Sequence, residues 1–485
     1  MKRKWMRLAL PLAMMLLLTG CLFRSPDDLY RKPGRSAGYE QLMSTIRGIR
    51  SGLEAEFGVT SEDALIVSGD NTATIQLQDM DGDGQRETAV TFIRIPDVEK
   101  PMKVYLFRKV EGSYQLTGKV EGSGSAIYSV DYADLNGRGQ KELVINWQVS
   151  AGVYQLGAYT LDDLAPAVAE KPKILTVSAD QEHLLATELL LTGCSTASES
   201  GNYSSGYRLL DVDQDTRTEI AVVHMDAAGA GGYVEVYGWR DSSFSSLSLV
   251  NLSAGAVTLN QIRANYLSGE YYPPALYIIT SLADGSRAVD VVVYGEEGLV
   301  SISQDPETGE SRDLLLNATD IGLGPVDVNS DYVLELPSST LLPVSGGLSN
   351  AEFWLTQWSC YLESGKEEKV VTTYHNTDDS WYLEIPEEWV DKITISRNDS
   401  RSGQRQVIFS LWQGEDEMPI PFLSIYKLTG SNRTARAAET GRFILREEGE
   451  VIYAARFAEN SWNCGLDQMD LLERFHTIQP SWYSG

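Results

Sequence analysis

The chain has 485 residues, a formal net charge of −28, 42% hydrophobic residues and four cysteines. A body this acidic repels nucleic acid and anionic membrane surfaces alike, so no nucleic-acid partner is expected. Its length and apolar content suffice for large buried cores and at least two domains, while four cysteines are too few for a disulfide framework.

Residues 1–20 fall into zones. Lys2, Arg3, Lys4 and Arg7 make a basic start, of the kind retained on the cytoplasmic side of a membrane. The apolar run Leu8 to Leu18 follows; about 11 residues suit a signal-peptide core and are too few to cross a bilayer of about 30 Å. It ends in Leu18-Thr19-Gly20-Cys21, which resembles a bacterial lipobox. That resemblance implies a diacylglyceryl group on the Cys21 thiol and cleavage just before it. The mature protein is then anchored to the cell membrane by lipid, on the extracytoplasmic face. The alternative is an ordinary signal peptide, or a short buried helix, that ends in cysteine. No later apolar stretch is long enough for a membrane helix. Cys194, Cys360 and Cys464 can form one bridge at most.

Residues 21–38 carry prolines, glycines and charges without periodicity and read as a flexible tether. Over 39–63, Leu42, Ile46, Ile49, Leu53 and Phe57 recur at three and four and predict one amphipathic helix. From residue 64 the pattern turns to short alternating or apolar runs, such as TAVTFIRI, ELVINW, EIAVVHM and AVDVVVYG, separated by turn residues. This is an all-β signature.

Within that region a unit repeats. DMDGDGQRETAV from Asp79, DLNGRGQKELVI from Asp134, DVDQDTRTEIAV from Asp211 and DVNSDYVLELP from Asp327 share spaced acids, a glutamate at the ninth position and an apolar strand. The intervals are 55, 77 and 116 residues, and YLSGEYYPPALYIIT (Tyr266 to Thr280) reads as a fifth unit with its acidic loop eroded. The long second interval points to an insertion around 162–205. The repeat resembles the FG-GAP/VCBS type of integrin-like β-propellers, in which each unit supplies a four-stranded blade that stacks on its neighbours. The expected fold is therefore mainly β: a β-propeller over 64–349 with five detectable repeat units and the ring size open, then a C-terminal α+β domain over 350–485. Residues 350–374 can instead complete the propeller. The tryptophans of that last region (Trp354, Trp358, Trp381, Trp389, Trp412, Trp462) read as core, with a carbohydrate platform as the alternative.

Asp79, Asp81 and Asp83 stand two apart with Gly82 and Gly84 among them, and Glu87 follows. In a tight loop this turns several hard oxygen ligands inward, which suits calcium, with the Gln85 carbonyl as a further ligand. An EF-hand needs its bidentate acid at position twelve, where Val90 stands. Asp211, Asp213, Asp215 and Glu219 form the next candidate, with Thr216 in place of a glycine. Asp134, Asn136 and Glu142 are weaker, because Arg138 replaces an acid. Asp327, Asn329, Asp331 and Glu335 are weaker too, because Tyr332 at the glycine position works against closure. The alternative for each loop is a solvated turn that caps a hairpin.

The four histidines (His183, His224, His375, His476) form no metal pair and flank no nucleophile; His224 reads as a packed or surface residue. AAGAGG (Ala227 to Gly232) lacks the lysine and helix of a phosphate loop and reads as a hairpin turn. No catalytic constellation is legible, so the expectation is a non-enzymatic binding or scaffolding module for a protein or carbohydrate ligand. The alternative is a carboxylate-based hydrolase or lyase acting on cell-wall or environmental polysaccharide.

Overall fold

The computed structural model describes residues 37–96, 98–150, 153–159, 189–192, 206–225, 231–240, 243–312, 323–343, 352–459 and 462–478. The leader, Cys21, the tether through residue 36, Cys194 and most of the insertion expected at 162–205 lie outside them. The described residues form six antiparallel sheets and divide into two compact units.

The first unit holds helix α1 (Ala37–Phe57) and a sheet of β1 (Glu62–Asp63), β2 (Ile75–Gln78), β3 (Thr88–Arg94), β4 (Met102–Val110) and β5 (Ser113–Gly122). The apolar stripe of the helix decides its placement: Leu42, Ile46 and Leu53 are buried with Ala89, Ile93, Tyr105 and Phe107 of the sheet.

The second unit opens with residues 65–73, of which Ile66 lies parallel to Ile127 at the edge of the second sheet. That sheet contains β6 (Ala126–Ala133), β7 (Glu142–Ser150), β8 (Val153–Tyr159) and β9 (Leu189–Thr192). The third contains β10 (Tyr207–Leu210), β11 (Glu219–Met225), β12 (Gly232–Arg240) and β13 (Ser243–Asn251). The fourth contains β14 (Ala256–Tyr266), β15 (Pro274–Leu282), β16 (Arg287–Gly295) and β17 (Gly298–Ser301). Each is a four-stranded meander with its strands in chain order. β15 shows why the sequence looks continuously apolar here. Leu276 and Ile278 enter the core shared with the second and third sheets, while Ala275, Tyr277 and Ile279 enter the core shared with the next. Successive side chains point to opposite faces, so a strand covered on both sides has no polar face to alternate with. Consecutive meanders packed face on face are the blades of a propeller-type fold.

The fifth sheet runs β18 (Leu336–Leu341), β19 (Trp354–Tyr361), β20 (Glu367–Asn376) and β21 (Trp381–Glu384). β18 pairs with β19 from Leu336↔Ser359 to Leu341↔Trp354. The boundary expected between 349 and 350 therefore falls inside one sheet, because the loop there joins two paired strands. The sixth sheet holds β22 (Ile393–Asn398), β23 (Gln404–Leu411), β24 (Ile420–Leu428), β25 (Phe443–Glu448) and β26 (Val451–Phe457), ordered β22-β23-β24-β26-β25. Helices α2 (Arg433–Ala437) and α3 (Gln468–Arg474) follow β24 and β26, and β27 (Phe475–Thr477) returns to pair with β21. Asp467 caps α3 by accepting from Met469 N and Asp470 N. Trp358, Trp381 and Trp389 are buried, as the core reading expects, and Cys360 and Cys464 are free thiols.

Ile278, fully buried, tests the role of two-sided burial. Ile278→Ala is expected to cost about 2–5 kcal/mol in urea denaturation, whereas Val300→Ala, at a position 44% exposed, should stay within about 0.5 kcal/mol. Equal costs would show that this strand is not held by burial on both faces.

Candidate metal centre in the acidic loops

The four acidic loops share one backbone path. In the first, the Asp79 carboxylate accepts from Gly82 N at 2.7 Å and Gly84 N at 2.8 Å, and Asp83 accepts from Gln85 N at 2.7 Å. Asp134 accepts from Gly137 N and Gly139 N, both at 2.8 Å. Asp211 accepts from Asp215 N at 3.0 Å and Thr216 N at 2.9 Å, and Asp327 from Asp331 N and Tyr332 N at the same two distances. The path needs positive φ at the fourth and sixth loop positions. Glycine supplies it in the first two loops; Gln214, Thr216, Ser330 and Tyr332 adopt it in the others. The expectation that Tyr332 works against closure is therefore corrected. Its φ of 71° follows the same path, at a backbone cost of about 1 kcal/mol or more.

The ninth-position glutamates also act alike. One carboxylate oxygen accepts from the backbone N–H of the second loop residue: Glu87 from Met80 at 2.7 Å, Glu142 from Leu135 at 2.8 Å, Glu219 from Val212 at 3.0 Å and Glu335 from Val328 at 2.8 Å. The other oxygen distinguishes the loops. Glu142 Oε1 accepts from Asn136 Nδ2 at 2.7 Å, so a neutral amide meets the need there. Glu219 Oε1 lies 3.6 Å from Arg240 Nη2, which is also 2.6 Å from Asp213 Oδ2 and 3.0 Å from Asp215 Oδ2. Glu87 Oε2, Glu219 Oε1 and Glu335 Oε1 are all buried with no hydrogen-bond partner among the described residues, and of the three only Glu219 Oε1 has a cation nearby.

These differences rank the loops as cation sites. Asp79, Asp81, Asp83 and Glu87 bring one carboxylate oxygen each within 4.8 Å of one another, and none of the four makes an ion pair among the described residues. Unneutralised acids around an orphaned buried oxygen fit a hard divalent cation. Gln85, expected to contribute its carbonyl, directs its side-chain amide to Asp83 Oδ2 at 3.1 Å. Asp211, Asp213 and Asp215 also converge, but the Arg240 guanidinium already stands among the carboxylates where an ion would stand. Sequence spacing could not have found it, since Arg240 ends β12, 27 positions after Asp213. The Asp327 loop has no such cation among the described residues. Burial, with the neighbouring aspartates adding, pushes the Glu335 carboxyl up to about 7, and it pushes Glu219 up to about 7 as well, against the attraction of Arg240. A carboxyl so raised stabilises the fold while protonated and loses that contribution as pH climbs from its ordinary range toward 7. A cation there gains in value over the same window.

The opposite end of the third sheet carries a cavity of about 740 Å³, lined in part by His224, Tyr233, Asn251, Ser253 and Gln304. His224 stacks on Tyr233 with ring centroids 4.7 Å apart. Its buried Nε2 has no hydrogen-bond partner and lies 3.7 Å from Glu235 Oε2. Burial pulls the His224 pKa below its ordinary value, against the attraction of Glu235. The sequence reading of His224 as a packed or surface residue missed this setting, because the register of the β11–β12 hairpin, which sets His224 opposite Tyr233, is not legible from residue spacing alone.

No protein-family model and no curated protein matches the chain. Solved structures with similar folds include the rhamnogalacturonan lyase YesW, at 13% identity over 70% of this chain and 60% of that one, with a TM-score of 0.27. A periplasmic gluconolactonase from Pseudomonas aeruginosa matches at 11% identity over 69% and 84%, TM-score 0.25. An exo-β-1,3-galactanase from Phanerochaete chrysosporium matches at 10% over 76% and 80%, TM-score 0.24. All three are named as enzymes, and the expectation of a non-enzymatic chain is withdrawn. At these scores they lend the chain no substrate and no residue roles.

Arg240→Gln is expected to raise the number of calcium ions bound per chain by one, and Asp81→Ala to lower it by one, counted by equilibrium dialysis at millimolar calcium. A count unmoved by Arg240→Gln would show that the guanidinium is not standing in for an ion.

Proposed function

We propose that this chain is an extracytoplasmic lipoprotein, anchored to the cell membrane through Cys21, whose calcium-supported propeller engages polysaccharide of the cell wall or surroundings. The observation that carries this reading is the Asp79 loop, with its converging carboxylates and orphaned Glu87 oxygen. Extracellular calcium modules of this kind bind at about 0.1–1 mM, so such a loop works outside the cytoplasm. Calcium at roughly ten times its dissociation constant adds about 1.4 kcal/mol to stability. The lipobox-like end of the leader supports the same compartment, and the cavity at the other end of the third sheet offers room for a ligand.

Cys21→Ala is expected to release the protein from the membrane fraction or to leave an unprocessed precursor. A variant that fractionates and migrates like the wild type would remove the anchor from this reading.

A second reading, a hydrolase or lyase acting on the same polysaccharide, is favoured by the His224–Glu235 pair at the cavity. An imidazole kept neutral by burial, close to a carboxylate, is a proton acceptor at neutral pH. On this reading, incubation with polysaccharide releases new reducing ends or unsaturated products, and His224→Ala abolishes the release. Polysaccharide bound but unaltered by the wild type would leave binding alone.

A further inference from the structure

The cavity of the third sheet is lined by the end of β11, the start of β12, the β13–β14 link and the segment after β17, at the end away from the acidic loop. Its floor is fixed from below. Asp290, fully buried, accepts from Ser253 N at 3.0 Å, Ser253 Oγ at 2.6 Å and Gln304 Nε2 at 2.8 Å. Gln304 Nε2 donates also to Asn251 O at 3.0 Å. One satisfied buried carboxylate thus orients two residues of the lining without presenting charge to it. The Gln304 amide oxygen and the exposed Asn251 amide make no hydrogen bond among the described residues, and His224 Nε2 is orphaned. Tyr233 is 36% exposed and is backed by the His224 ring at an interplanar angle of 18°.

We propose that this cavity binds an uncharged saccharide unit, with Tyr233 as its stacking face and Asn251 and Gln304 as its hydroxyl partners; the proposal rests on the polysaccharide reading above and locates it. An aromatic face covers the C–H face of a sugar ring, while fixed amides discriminate its hydroxyls. About 740 Å³ falls in the range of small-ligand sites, roughly 300–1,000 Å³. The charge of the ligand follows from the lining, which contains no lysine or arginine among the described residues. A uronate or phosphate would be desolvated there without a counter-ion, inside a protein of net charge −28. A cationic ligand fares no better: the described lining holds no carboxylate, and Asp290 beneath it is saturated.

The test titrates the full chain calorimetrically with neutral cello-, chito- and galacto-oligosaccharides, and with polygalacturonate as the acidic arm. At least one neutral series is expected to bind, with affinity about tenfold weaker after Tyr233→Ala or Asn251→Ala. Tyr271→Ala, in the β14–β15 loop and 70% exposed, should leave it unchanged. Asn251 is exposed, so its truncation keeps the test valid if Tyr233→Ala fails to fold. Neutral binding unmoved by the Asn251 and Tyr233 substitutions would overturn the site and leave the polysaccharide reading standing. Binding of polygalacturonate alone would overturn the ligand class, and binding of no saccharide would overturn both.

Discussion

A buried glutamate carboxylate pins each acidic loop to the strand that follows it, and the rest of each loop is an answer to the charge that results. The hydrogen bond from the second loop residue, Met80, Leu135, Val212 or Val328, fixes one oxygen in all four cases. The second oxygen still needs a partner, since an uncompensated buried charge is costly. An asparagine amide provides it at Glu142 and a guanidinium approaches it at Glu219. At Glu87 and Glu335 nothing in the described chain does. A repeat that looks uniform in sequence thus contains loops of different electrostatic character.

Much of the fold was legible because its signals are local. The heptad-like stripe Leu42, Ile46, Leu53 gave the helix, and the apolar runs gave the strands, since period and turn chemistry act over a few residues. The aspartate spacing picked out the first cluster of converging carboxylates for the same reason: its members lie within one loop. What failed to read out was non-local. Arg240 reaches the third loop through hairpin register, and the cavity residues His224, Asn251 and Gln304 come from β11, β13 and the segment after β17, far apart in the chain. The join of β18 to β19 was hidden because a Gly/Ser-rich stretch near residue 346 looks the same whether it links domains or strands.

One misreading had a different origin. Tyr332 was expected to resist the turn on steric grounds, yet the loop closes on it. Its N–H bond to Asp327, the Asp331 contact to Val333 N and the Glu335 anchor act together. Intrinsic backbone preference is worth about a kilocalorie or two, and several charge-assisted hydrogen bonds outweigh it.

β27 pairs with β21 only after the whole sixth sheet and α3 have been traversed. The outer edge of the fifth sheet therefore stays bare until residue 477 has been delivered, however early β18 to β20 assemble. Contacts of such long sequence separation form late, and an open strand edge is an adhesive surface for other chains. The sixth sheet is in this sense nested inside the fifth, so the two become secure together. The delivery of the last segment is therefore the step of folding most open to misassembly.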